Sequence, residues 1–210
     1  MFFDRHLEAA CRLEGRPWSK VPNWDAKVRG VWDDAEAASW IESKIGTAPL
    51  AFDYETDRLK PDHKESRIVC CSVSDGKTAI AYPWMGKAIE ATKRLLRSKT
   101  PLIASNVKFE ERWSIRHFGV GIKNWLWDTM LAAHVIDNRP KITSIKFQAF
   151  VHLGVDSWDR QVKPWLTAKG SNLPNRIKEI DLNQLLRYCA FDSLYEAKVA
   201  KKQMKLLGFE

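Results

Sequence analysis

Residues 50–57 read Leu-Ala-Phe-Asp-Tyr-Glu-Thr-Asp, a run in which aromatic and acidic side chains alternate. Side chains alternate across a β-strand, so residues two apart share a face. Leu50, Phe52 and Tyr54 then form an apolar face that must be buried against another element. Asp53 and Glu55 stand together on the opposite face. Two carboxylates so placed repel each other and lose hydration, and a divalent cation between them is the simplest compensation. Taken alone, the pattern also fits a strand that ends in solvent with two ordinary acids.

The flanking sequence supplies the rest of an α/β pattern. Upstream, Asp33 or Asp34 caps a helix through Ala37, Trp40, Ile41 and Ile45, closed by Gly46. Downstream, residues 67–74 and 78–82 are apolar runs around Asp75-Gly76, which predicts a hairpin. A helix over 87–97 with Ile89, Leu95 and Leu96 inward is followed by a short buried strand at 101–104. The pattern then gives a helix over 107–118, a strand over 125–128, and helices over 129–136 and 144–153. Residues 155–180 hold turn formers and basic side chains such as Lys163, Lys169, Arg176 and Lys178. They read as a mobile basic stretch near a substrate, or as a solvated loop. Asp181 caps a long final helix. Strands first, then alternating elements, then helices predict an α/β layer fold with a mixed central sheet flanked by helices. Residues 1–30 form a separate N-terminal appendage in this reading, with a short helix over 4–13 and tryptophans that anchor it or dock a protein partner; residues 31–210 form the domain.

The chain has 210 residues and a formal net charge of +8, a balance that suits a polyanionic partner without demanding one. Its four cysteines lack zinc or disulfide spacing; adjacent Cys70 and Cys71 point to opposite strand faces. Buried free thiols suit a reducing, cytoplasmic location. No apolar run approaches the ~20 residues of a membrane span, so no membrane contact is expected.

Three further acidic motifs accompany the strand. Asn106-Val107-Lys108-Phe109-Glu110 opens a helix just after a buried strand, Asp128-Thr129 ends another strand, and Tyr188 and Asp192 share one helix face. Singly, each has a plainer explanation: a first-turn acid, an N-cap, or the polar edge of an amphipathic helix.

In this order the motifs resemble the DEDD superfamily of 3′→5′ exonucleases, in its tyrosine (DEDDy) form. Phe52-Asp53-Tyr54-Glu55-Thr56 resembles the first motif, Asn106 to Glu110 the second, and Tyr188-x-x-x-Asp192 the third; the histidine form would carry a His where this chain has Arg187. Trp127-Asp128-Thr129-Met130-Leu131 and Thr143-Ser144-Ile145 are similar to segments of the proofreading domain of family A DNA polymerases. The resemblance covers residues 33–207, and Glu110 departs from it, since the family carries Asp there.

The resemblance implies a ribonuclease H-like (DnaQ-like) exonuclease fold and a stand-alone enzyme without a polymerase domain. It implies two divalent ions, Mg²⁺ or Mn²⁺, held by Asp53, Glu55, Glu110 and Asp192, with Tyr188 orienting the attacking water. Thr56, Leu59 and Asn106 become substrate contacts, Leu59 as a wedge against the terminal bases. The implied substrate is a single-stranded nucleic acid, DNA ahead of RNA, cut to nucleoside 5′-monophosphates. The alternatives are a ribonuclease D-like exoribonuclease and a catalytically silent nucleic-acid-binding domain.

Overall fold

A computed structural model of the chain describes residues 22–170 and 173–209. The helix expected over residues 4–13 lies outside the described residues. In chain order, the elements are β1 (Val28–Gly30), α1 (Asp34–Lys44), β2 (Leu50–Thr56), β3 (Ile68–Ser74), β4 (Ala79–Pro83), α2 (Gly86–Arg97), β5 (Leu102–Ala104), α3 (Val107–Phe118), β6 (Trp125–Asp128), α4 (Thr129–Ile136), α5 (Ile145–Leu153), α6 (Lys163–Leu166) and α7 (Leu182–Leu206).

The sheet has the order β1-β4-β3-β2-β5-β6. β2, β3 and β4 pair antiparallel, whereas β5 and β6 join β2 in parallel through helical crossovers. β2 is therefore central, where its side chains are covered on both faces. Val28–Gly30, expected in the appendage, instead pairs in parallel with β4 as an edge strand of the sheet. A three-residue strand has too little periodicity to be read from sequence, and β4 is its template.

Alternation along β2 sorts the two faces as expected. Leu50, Phe52 and Tyr54 enter a core with Ile41, Tyr82, Leu95 and Trp113, formed under α1, α2 and α3. Cys71 joins that side, while Cys70 packs under α7 with Ala79 and Ala81. The α7 side of the sheet is thus paved with small residues. At Gly30 even a Cβ would come within 3.3 Å of Leu186. Ser72 Oγ donates to the Cys189 carbonyl at 2.7 Å, an extra tie between sheet and helix. This close approach brings the acids of α7 down onto those of β2. No helix among the described residues is long and apolar enough to cross a membrane.

Candidate active site

The site forms where the α7-facing side of β2 meets α7 and the start of α3. β2 contributes Asp53 and Glu55, and α7 contributes Tyr188 and Asp192 one turn apart. Glu110 enters from the first turn of α3 and is 1% exposed, with its carboxylate beside the Tyr54 backbone N–H and the charge of Asp53. Glu111 turns away, as a helix requires of its neighbour. Its carboxylate accepts from the Ile122 N–H at 3.1 Å and from Trp125 Nε1 at 3.0 Å.

Asp128 sets the entrance of α3. Its carboxylate accepts from the Asn106 and Val107 N–H groups, each at 3.0 Å, and caps α4 through Met130 and Leu131. Asp128 therefore holds two helix starts together, which is the N-cap explanation extended across the chain. Asn106 sits at φ 68°, in the left-handed region that asparagine tolerates better than most residues.

Burial dominates the electrostatics. It raises the carboxyls of Asp53, Glu55 and Glu110 well above the usual carboxylate range, and mutual repulsion raises them further. Burial also raises Asp192, against the opposing pull of Lys146. Lys146, on α5, escaped the sequence reading. Its ammonium pairs with Asp192 Oδ1 at 2.6 Å and donates to the Tyr188 hydroxyl at 2.8 Å, over the rings of Tyr188 and Trp158. Burial opposes its charge, but Asp192, Glu55 and Asp53 raise its pKa on balance. On α5 it reads as one surface lysine of an amphipathic helix, and only tertiary packing turns it inward. Glu196, one turn beyond Asp192, was missed for the same reason; it is 1% exposed.

Asp53, Glu55 and Cys189 form the tightest potential ligand group, with donor atoms within 4.8 Å of one another. Burial holds Cys189 as a neutral thiol, and its Sγ lies 3.9 Å from Asp53 Oδ2. The remaining donors are carboxylate oxygens, and the Oε2 atoms of Glu110 and Glu196 are buried without a hydrogen-bond partner. Buried orphan oxygens facing like charge, with no thiolate among them, fit a hard divalent cation.

A 3′-5′ exonuclease family model matches residues 28–207. The chain belongs to this exonuclease family. Its match begins at β1, in agreement with the place of that strand in the sheet. No curated protein sequence matches the chain at a significant level. Among solved structures, Escherichia coli RNase D is 18% identical with a TM-score of 0.63, covering 84% of this chain and 44% of its own. Brucella melitensis NrnC bound to pGG is 18% identical with a TM-score of 0.60, covering 86% and 81%. The POL domain of Pol1 from M. smegmatis, solved with DNA primer-template and dNTP, is 11% identical with a TM-score of 0.60, covering 86% and 28%. The exonuclease thus has the ribonuclease H-like fold expected from its motifs, and spans less than half the length of RNase D. Another structure of Brucella melitensis NrnC holds Mg²⁺.

Of the sequence-derived substrate contacts, Thr56 ends β2 and Leu59 follows it, whereas Asn106 precedes α3. Leu59 is 60% exposed, just past the strand. Thr56 is buried and donates its hydroxyl to the Arg58 carbonyl at 2.7 Å, so that hydroxyl is engaged within the turn. Asn106 makes no side-chain cap bond to its helix. Residues 175–178 of the basic stretch are tied to the body of the domain. Asn175 bonds the Thr56 and Asp57 carbonyls, Lys178 pairs with Asp57, and Arg176 stacks on Trp165.

Proposed function

We propose that this exonuclease removes nucleoside 5′-monophosphates from single-stranded 3′ ends, with two divalent ions, Mg²⁺ or Mn²⁺, held by Asp53, Glu55, Glu110 and Asp192. The observation that carries the reading is that these four acids, brought in by β2, α3 and α7, lie within reach of one another's charge, with a tyrosine one turn from the last. Such ions, when bound, supply an activated water and charge stabilisation at the leaving oxygen. The chain's own residues do the positioning. Tyr188 orients the water through its hydroxyl; burial raises its pKa above the usual phenol value, so it acts as a neutral hydrogen-bonding group. Lys146 compensates Asp192 and holds the Tyr188 hydroxyl in place. Leu59 serves as the wedge beside the terminal bases, and the free amide of Asn106 meets the terminal nucleotide.

DNA is the first reading for the substrate, by the family's likeness to polymerase proofreading domains. RNA is the second, favoured by the likeness to RNase D, an exoribonuclease. Digestion of matched end-labelled DNA and RNA single strands with Mg²⁺, Mn²⁺ or EDTA tests both. Stepwise shortening from the 3′ end that EDTA stops is the expected result, and the faster strand identifies the substrate. Equal cleavage of circular single strands would replace the exonuclease mode with an endonuclease.

A further inference from the structure

Glu196 is a buried acid for which the four-acid site has no use. It lies one turn beyond Asp192 on α7, so both project from the same helix face. Ala200, one turn further, packs on Ala51. The helix therefore runs over β2 with Glu196 at the Asp53 end of the acidic pair. The charges that bear on Glu196 are those of Asp53, Asp192 and Glu110, while Lys146 contributes least. Lys146 is already engaged by Asp192 and the Tyr188 hydroxyl.

The hydrogen bonding points the same way. Glu196 Oε2 and Glu110 Oε2 are each buried without a partner, although nearly all buried polar atoms in folded proteins have one. A buried carboxylate without a partner is costly, and a glutamine or an apolar residue on α7 would avoid the repulsion. Two orphaned oxygens, from two different helices, thus belong to acids that both feel the charge of Asp53. Lone buried acids are well satisfied by a cation that they share.

We propose that Glu196 is a further ligand of the metal centre, joining Asp53 and Glu110 around one divalent ion. The inference rests on the metal-dependent reading above. It gives the longer arm of Glu110 a partner across the ion. Five carboxylates (Asp53, Glu55, Glu110, Asp192 and Glu196) against the one ammonium of Lys146 leave a negative charge that two divalent cations neutralise before substrate arrives.

The test is Mn²⁺ titration of the full chain without nucleic acid, followed by calorimetry and by the electron paramagnetic resonance signal of free Mn²⁺. Glu196→Gln keeps the shape and removes the charge. It should weaken one Mn²⁺ site roughly tenfold or more, as changes at metal-supporting groups do, and should raise the melting temperature in EDTA. An Mn²⁺ affinity unchanged within twofold would overturn the proposal and leave Glu196 as a buried neutral acid. Asp53→Asn serves as the control: if it loses Mn²⁺ and Glu196→Gln does not, only the role of Glu196 fails. Should neither variant change Mn²⁺ binding, the metal site itself is refuted. If Glu196→Gln does not fold, Glu196→Asp keeps the charge and shortens the arm, and the same tenfold and twofold criteria apply to it.

Discussion

At Asp53, burial and the charge of Asp192 both oppose ionisation, while Lys146 and the Cys189 thiol favour it. A side chain kept at such a cost to the apo fold has a use outside the apo fold. Asp53→Asn should lower hydrolysis by about three orders of magnitude, the scale of several kcal/mol of metal-derived stabilisation. It should also raise the melting temperature in EDTA, because it removes one charge from a repelling group. Single-turnover digestion and thermal melts check the two halves separately. Lys146 gives the opposite expectation. Asp192 is 3% exposed and its paired cation is Lys146. Lys146→Met strands a buried carboxylate and should destabilise the metal-free protein by about 3 kcal/mol. Added Mn²⁺ should restore much of that loss, since a cation again faces Asp192. Urea unfolding with and without Mn²⁺ measures both quantities; equal losses in the two conditions would mean that Asp192 does not face the ion.

Among the elements, α3 and α4 depend on a single side chain. Asp128 accepts four backbone N–H groups from two helix starts. Replacing a cap by alanine costs about 0.5–2 kcal/mol at one helix. Asp128→Ala should therefore lose about 2 kcal/mol or more in urea unfolding. It should also reduce turnover, because the first turn of α3 carries Glu110. Asp128→Asn, which keeps one acceptor oxygen, should fall between the wild type and Asp128→Ala in both measurements. Unchanged turnover in a destabilised Asp128→Ala would show that Glu110 holds its place without this anchor. α7 is fixed differently, by its Asp181 cap and by the small side chains of the sheet beneath it.

For the whole molecule, the acidic centre sets how stability varies with pH. Asp53, Glu55, Glu110, Asp192 and Glu196 all hold protons more tightly folded than unfolded, first because of burial. Above the ordinary carboxylate range near ~4, the native state then binds more protons than the unfolded chain. Stability must fall as pH rises through the window between the ordinary and the raised values. Asp33, Asp75 and Asp137, whose carboxyls are lowered, act oppositely and only as pH falls below that ordinary range. The melting temperature in EDTA should therefore be lower at pH 8 than at pH 5.5. Mg²⁺ should reverse the slope, because its binding requires the deprotonated acids. A flat profile in EDTA would mean that these carboxyls are solvated.

The sequence by itself determined the local elements and the motif acids. Capping at Asp181 and at Asp33 or Asp34, strand alternation at β2, and the glycine stop at Gly46 are short-range effects, and the structure uses Asp33 and Asp181 as caps and holds Gly46 at φ 76°. The inward side chains of Asp53, Glu55, Tyr188 and Asp192 follow from strand and helix periods, which are local too. Tertiary structure alone decided the rest. β1 exists because β4 offers it an edge, and three residues carry no period of their own. Lys146 and Glu196 look like surface residues on their helices until α5 and α7 close over β2. Lys146 pairs with Asp192, 46 residues away, and Glu196 meets the repelling charge of Asp53, well over a hundred residues away, distances across which no local pattern reports.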